Sequence, residues 1–168
     1  KDIILKEPKG IVLDIRSNGG GYLDIAVDIL SEFIGGKKEA VKIQRREPLP
    51  HESLFVNGSP ELPDVPLVVL TNGGSASASE ILAGAIQDHK RGIVIGEKTF
   101  GKGSVQEVDY LPDSSSLRIT IAKWLTPDGR SIDQVGLEPD IAVSLNADIE
   151  NGVDAQLDRA LEYLKKKK

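Results

Sequence analysis

The sequence predicts an α/β domain with a mainly parallel central sheet flanked by helices. Three observations carry this. Residues 10–15, 67–70 and 92–96 are short apolar, β-branched runs of the length expected for buried strands. Helical spacing of apolar residues follows two of them, at Leu23, Ala26, Val27, Leu30, Phe33 and Ile34 and again over residues 81–87. The resulting strand–helix alternation is the pattern of parallel sheets joined by crossover helices.

Along the chain, residues 1–9 read as the tail of a helix that ends at Pro8-Lys9-Gly10, ahead of the first strand at 10–15. Ser17-Asn18-Gly19-Gly20-Gly21 is a sharp turn, and Gly35-Gly36 stops the helix that begins near Leu23. Residues 40–44 alternate as a strand. Residues 47–66 hold five prolines with Asn57-Gly58 and Ser59-Pro60, which predicts loop with a short hairpin. A strand at 65–71, a helix at about 77–88 and a strand at 92–96 follow. Two further strands, 105–110 and 117–125, are joined by a polar turn at 112–116. Residues 137–141 are extended. An amphipathic helix over 154–166 carries Leu157, Ala160, Leu161 and Leu164 on one face.

Composition narrows the function classes. At 168 residues with 39% apolar and 28% charged content, the chain can bury one real core. The net charge is −5, and the one basic run, Lys165-Lys166-Lys167-Lys168, has no interleaved aromatics, so nucleic-acid binding is not expected. With no cysteine there is no disulfide, thiolate metal site or cysteine nucleophile, and no metal-ligand spacing is present elsewhere. No apolar run reaches the roughly 18 residues of a membrane span, and no signal peptide is present. The absence of methionine, even at position 1, leads us to expect a piece of a longer protein.

The stretch Asn72-Gly73-Gly74-Ser75-Ala76-Ser77-Ala78-Ser79-Glu80 joins a buried strand to a helix. A small-residue bend there presents a serine hydroxyl beside outward-pointing backbone N–H groups, the arrangement a serine nucleophile needs. Ser77 also fits a helix cap, since Ser77-x-x-Glu80 is a capping box. Ser75 and Ser79 compete with it. Lys102 lies in Phe100-Gly101-Lys102-Gly103-Ser104-Val105-Gln106, where flanking glycines allow close approach to another segment; Lys98 is its competitor and has the setting of a surface residue. A lysine serves as a base only when neutral, which a water-poor site favours.

His89 lies roughly 18 Å beyond Ser77 along one helix, out of hydrogen-bond reach, and His51 sits in the proline-rich loop. Both read as surface residues, which disfavours a Ser-His-Asp triad. The Gly19-Gly20-Gly21 turn fits neither phosphate-binding fingerprint and could instead supply an oxyanion donor. Asp14 and Arg16 read as strand-end charges.

Four ordered segments resemble the carboxyl-terminal processing (tail-specific) serine peptidases. They are residues 10–21 (Gly-Ile-Val-Leu-Asp-Ile-Arg-Ser-Asn-Gly-Gly-Gly), residues 67–81, residues 96–106 and Thr126-Pro127-Asp128-Gly129-Arg130. The resemblance runs from about Lys9 to Val143, with glycine at position 19 where the family more often has proline. It implies a core similar to the crotonase-like superfold, working as a serine endopeptidase on polypeptides with apolar C-terminal tails. It implies Ser77 as nucleophile, Lys102 as general base and Gln106 as the residue that orients the lysine. Backbone amides of Ala78 and Gly21 would form the oxyanion hole. Even spacing on a strand would place Lys102 and Gln106 on one face. No cofactor or metal is implied, and the setting is extracytoplasmic.

The resemblance also implies that residues 1–168 are a partial peptidase core. Relatives carry sheet and helix ahead of the first matching strand, often with a PDZ domain. Apolar surface near Ile11, Leu13 and the adjacent helix face would then be exposed, with self-association or pairing to the N-terminal segments as the consequence. The alternatives are a non-catalytic binding or scaffold relative of the same fold and a crotonase-type acyl-CoA enzyme.

Overall fold

The computed structural model describes residues 4–145 and 152–167. Two four-stranded sheets replace the single, mainly parallel one predicted. The first is wholly parallel, in the order β1 (Ile11–Asp14), β4 (Leu67–Thr71), β5 (Ile93–Gly96), β8 (Ile141–Ala142). The second is antiparallel, with β3 (Glu52–Phe55), β2 (Glu39–Arg45), β7 (Ser116–Leu125) and β6 (Ser104–Tyr110) in that order. Local pattern identifies these strands but cannot assign them to sheets, because pairing is a long-range choice. The hairpin expected inside residues 47–66 forms instead between β3 and β2.

Alternation along β4 decides the layers. Leu67 and Val69 face a core shared with helices α1 (Leu23–Ser31) and α2 (Ala78–Asp88), whereas Val68 and Leu70 face helix α3 (Ala155–Lys165). All five β4 residues are buried, as expected of a strand covered on both faces. Helix α2 lies between the parallel sheet and β2 of the second sheet, and every residue from Ala78 to Ile86 is buried. Gly84 is needed there: a Cβ would come within 2.7 Å of the Thr126 methyl. Thr126-Pro127-Asp128-Gly129-Arg130 is thereby explained structurally. Its turn packs on α2, and Arg130 pairs with Asp88 at the end of that helix.

Three further expectations change. Residues 4–6 are a single 3-10 turn, and residues 1–3 lie outside the described part. In α3, Ala160 and Leu164 are buried as predicted, but Leu161 is 42% exposed and Gln156 is fully buried. Of the apolar surface expected near Ile11, Leu13 and the adjacent helix face, only the first part changes: Ile11 and Leu13 pack partly against the core, while Ile25 and Ile29 on that helix and Tyr22 at its cap are exposed.

Candidate active site

Parallel register aligns the carboxyl ends of β1, β4 and β5, with Asp14 beside Leu70 and Thr71 beside Gly96. Because β4 lies between the other two, its loop 72–77 emerges between the glycine turn after β1 and the lysine loop after β5. This is the sheet edge where α/β proteins bind ligands.

The three loops are bonded to one another. Asn72 accepts from the Ser17 N–H at 2.8 Å, and the Ala76 N–H donates to the Asn18 carbonyl at 3.0 Å. The Ser75 hydroxyl donates to the Ile15 carbonyl at 2.8 Å, and the Phe100 N–H donates to the Ser75 carbonyl at 3.0 Å. Glu80, fully buried, accepts from the N–H groups of Ser77 (2.9 Å), Gly101 (2.7 Å) and Lys102 (2.8 Å).

These contacts separate the competing serines. Ser75 is fully buried and its hydroxyl is committed to Ile15; Ser79 lies buried within α2. Ser77 is half-buried and caps α2 with φ 59° and ψ −119°. Positive φ in a non-glycine residue is strained, and such strain is concentrated at functional bends. Gly20, at φ +98°, lies against this bend: a Cβ on it would fall 2.8 Å from the Ser77 Cβ and 2.9 Å from the Ala78 nitrogen. Among the described residues, nothing accepts from the N–H groups of Ala78 or Gly21. Beside them opens a shallow apolar cleft lined by Ile15, Gly21, Ile25, Ile29, Ala78 and Leu82.

Lys102 sits in the loop before β6 with its side chain exposed, not enclosed in the water-poor site expected for a lysine base, because the loop lies at the open sheet edge; among the described residues the side chain makes no hydrogen bond or ion pair. Lys98, its competitor, is paired with Glu138 at 2.8 Å. Gln106 is exposed on β6 and does not meet Lys102 through a hydrogen bond. The strand argument for a shared face does not apply, because Lys102 precedes the strand and a register shift falls between Val105 and Gln106. His89 ends α2 and bonds the Glu39 carbonyl at 2.7 Å, so it is a tied residue and not a free surface one; His51 is exposed. The Glu80 contacts to the lysine loop were missed by sequence reasoning. The capping-box pattern points to the bond with Ser77 and carries no information about a loop brought in by folding.

Asp14 and Arg16 pair with each other and also fix α3. The guanidinium donates to Asp14 at 2.6 Å, to both oxygens of Asp154 at 2.8 and 2.9 Å, and to Gln156 at 3.2 Å. Hydrogen bonds from Arg16 hold both carboxyls below the ordinary value of 3.8, and the two carboxylates push Arg16 upward. Folded-state values below the unfolded ones mean that this stabilisation is complete above about pH 4 and is lost as pH falls further. The melting temperature should therefore be insensitive to these groups from pH 7 to 5 and should drop below pH 4. Arg16→Ala should cost about 2 kcal/mol, roughly 4–8 °C, at pH 7 and should weaken the acid dependence. Equal melting curves for the two proteins at both pH values would contradict this.

A strained serine at a helix head, beside an apolar cleft and two backbone donors without acceptors among the described residues, defines a class of site suited to acyl transfer at a serine hydroxyl. Comparison with known proteins specifies the family. The model of peptidase family S41 matches residues 1–143. A carboxy-terminal-processing protease of Bartonella bacilliformis is 45% identical over 151 residues, which is 85% of this chain and 34% of that protein. The chloroplastic carboxyl-terminal-processing peptidase 3 of Arabidopsis thaliana is 43% identical over 136 residues, 81% of this chain and 26% of that protein. The structure of a photosystem II D1 C-terminal processing protease superposes with a TM-score of 0.79 at 38% identity, covering 89% of this chain and 39% of that one. The chain belongs to peptidase family S41, the serine-type C-terminal processing peptidases, and spans about a third of the length of these relatives.

Proposed function

We propose that this chain forms the catalytic core of a serine endopeptidase working through a Ser-Lys pair. Ser77 Oγ attacks the scissile carbonyl while neutral Lys102 takes its proton. The developing oxyanion is held by the N–H groups of Ala78 and Gly21. The Lys102 ammonium then protonates the leaving amine; in the second half a water attacks the acyl carbonyl and gives a proton to Lys102, which passes it to the departing Ser77 Oγ and so restores both groups. Gln106 orients the lysine once substrate covers the loop.

One observation carries the reading. Ser77 occupies the bend where Gly20 allows the backbone to close in, beside two N–H groups without acceptors among the described residues. The apolar cleft at Ile25, Ile29 and Leu82 favours substrates with apolar residues next to the scissile bond, in keeping with apolar C-terminal tails. Polypeptides are the substrates, the setting is extracytoplasmic as in the resemblance, and residues 1–168 act within a larger protein that supplies further cover.

A fluorophosphonate probe tests this in the full-length protein. The Ser77 oxygen should displace fluoride and become the labelled atom, with labelling lost in Ser77→Ala. Labelling that persists in that variant refutes the nucleophile. Silence in the unaltered protein favours a non-catalytic or acyl-CoA-binding relative.

A further inference from the structure

Glu80 lies in the first turn of α2 with no exposed surface. A carboxylate so placed must be fully partnered, and its two oxygens meet four donors. Oε1 accepts from the Thr99 hydroxyl at 2.5 Å and the Gly101 N–H at 2.7 Å. Oε2 accepts from the Ser77 N–H at 2.9 Å and the Lys102 N–H at 2.8 Å. The Thr99 hydroxyl is fixed as a donor to Glu80 because its oxygen accepts from the Leu137 N–H at 2.7 Å. Capping the helix needs only the Ser77 bond. The other three reach a loop that follows β5, 19 to 22 residues further along the chain.

Resting on the Ser77–Lys102 reading, we propose that Glu80 is the positioning residue of this site: one buried oxygen holds the backbones of nucleophile and base together and fixes their spacing. Neither residue can drift from the other without leaving a buried acceptor or donor unpaired. A second consequence follows for the oxyanion. The Ser77 N–H is engaged with Glu80 and unavailable to substrate, which leaves the role to Ala78 and Gly21. An amide cannot replace the carboxylate. In Glu80→Gln, an NH2 at one site would face the N–H groups of Ser77 and Lys102, and at the other site the N–H of Gly101.

The test compares Glu80→Gln with Ser77→Ala and Lys102→Ala in the full-length protein; rates for Glu80→Gln and the unaltered protein are expressed per fluorophosphonate-titrated site, and those for the two controls per mole of folded protein. Glu80→Gln should lower kcat about 100-fold while KM stays within about threefold, the signature of lost alignment and not of lost binding. Loss of folded protein alone would leave kcat per titrated site unchanged, and that result overturns the proposal. If Ser77→Ala and Lys102→Ala keep hydrolysis, the Ser-Lys reading fails and the proposal with it. If those two abolish hydrolysis but Glu80→Gln retains kcat, the positioning role alone is wrong.

Should Glu80→Gln not fold, amide exchange in the unaltered protein decides. The N–H groups of Ser77, Gly101 and Lys102 lie outside every helix and strand, so slow exchange at all three is the expected mark of the shared carboxylate. Fast exchange at Ser77 or Lys102 overturns the proposal.

Discussion

Lys102→Arg is expected to abolish peptide hydrolysis by the full-length protein, by at least about 1,000-fold, although the positive charge is retained. Arginine cannot give up its proton at any working pH, so it cannot receive the one that Ser77 must lose. The substitution is structurally mild. Lys102 is exposed, and its backbone N–H, which arginine preserves, is what bonds it to Glu80. Folding and melting temperature should therefore be unchanged while turnover disappears. An arginine variant with near-native hydrolysis of an unstructured peptide would show that the base is another group. Exchanging His89 or His51 for alanine should not reproduce the loss, since neither lies in the three loops that meet at Ser77.

Gly20→Ala should have the next largest effect. The residue sits at φ +98°, where an L side chain is strained by about 1–2 kcal/mol. The added methyl would also stand 2.7 Å from the Ala76 carbonyl oxygen, 2.8 Å from the Ser77 Cβ and 2.9 Å from the Ala78 nitrogen. These are backbone and near-backbone atoms and cannot rotate away. The glycine turn must retreat, carrying the Gly21 N–H away from Ala78. Fluorophosphonate labelling should slow about 100-fold, the scale of losing one oxyanion donor. Gly19→Ala is the control: a Cβ at Gly19 meets nothing within 4 Å, so its labelling rate should stay near that of the unaltered protein. Equal rates for the two variants would remove the argument from close approach.

Much of this was legible without coordinates. The runs at β1, β4 and β5 carry their own signals of length and branching, and the bend at Ser77 is written in consecutive small residues. The capping pattern places Ser77 and Glu80 together at the first turn of one helix, so geometry follows from spacing. Lys102 stood out because glycines flank it, a local property again.

Pairing between distant segments was not legible. Which strands join which sheet depends on contacts across the chain, so one parallel sheet was expected where the protein builds a parallel and an antiparallel one. Leu161 lies exposed although the apolar spacing placed it on the buried face of α3, and Gln156 is buried there with polar partners, Arg16 and the Val143 carbonyl, that lie elsewhere in the chain. A bulge between Val105 and Gln106 defeats simple alternation. The sequence by itself determined the chemistry available: a serine at a helix head, a lysine between glycines and a glycine turn. Only the tertiary structure decided that these stand together, because strand order puts β4 between β1 and β5, and the buried carboxylate of Glu80 has to find its donors on both sides of that junction.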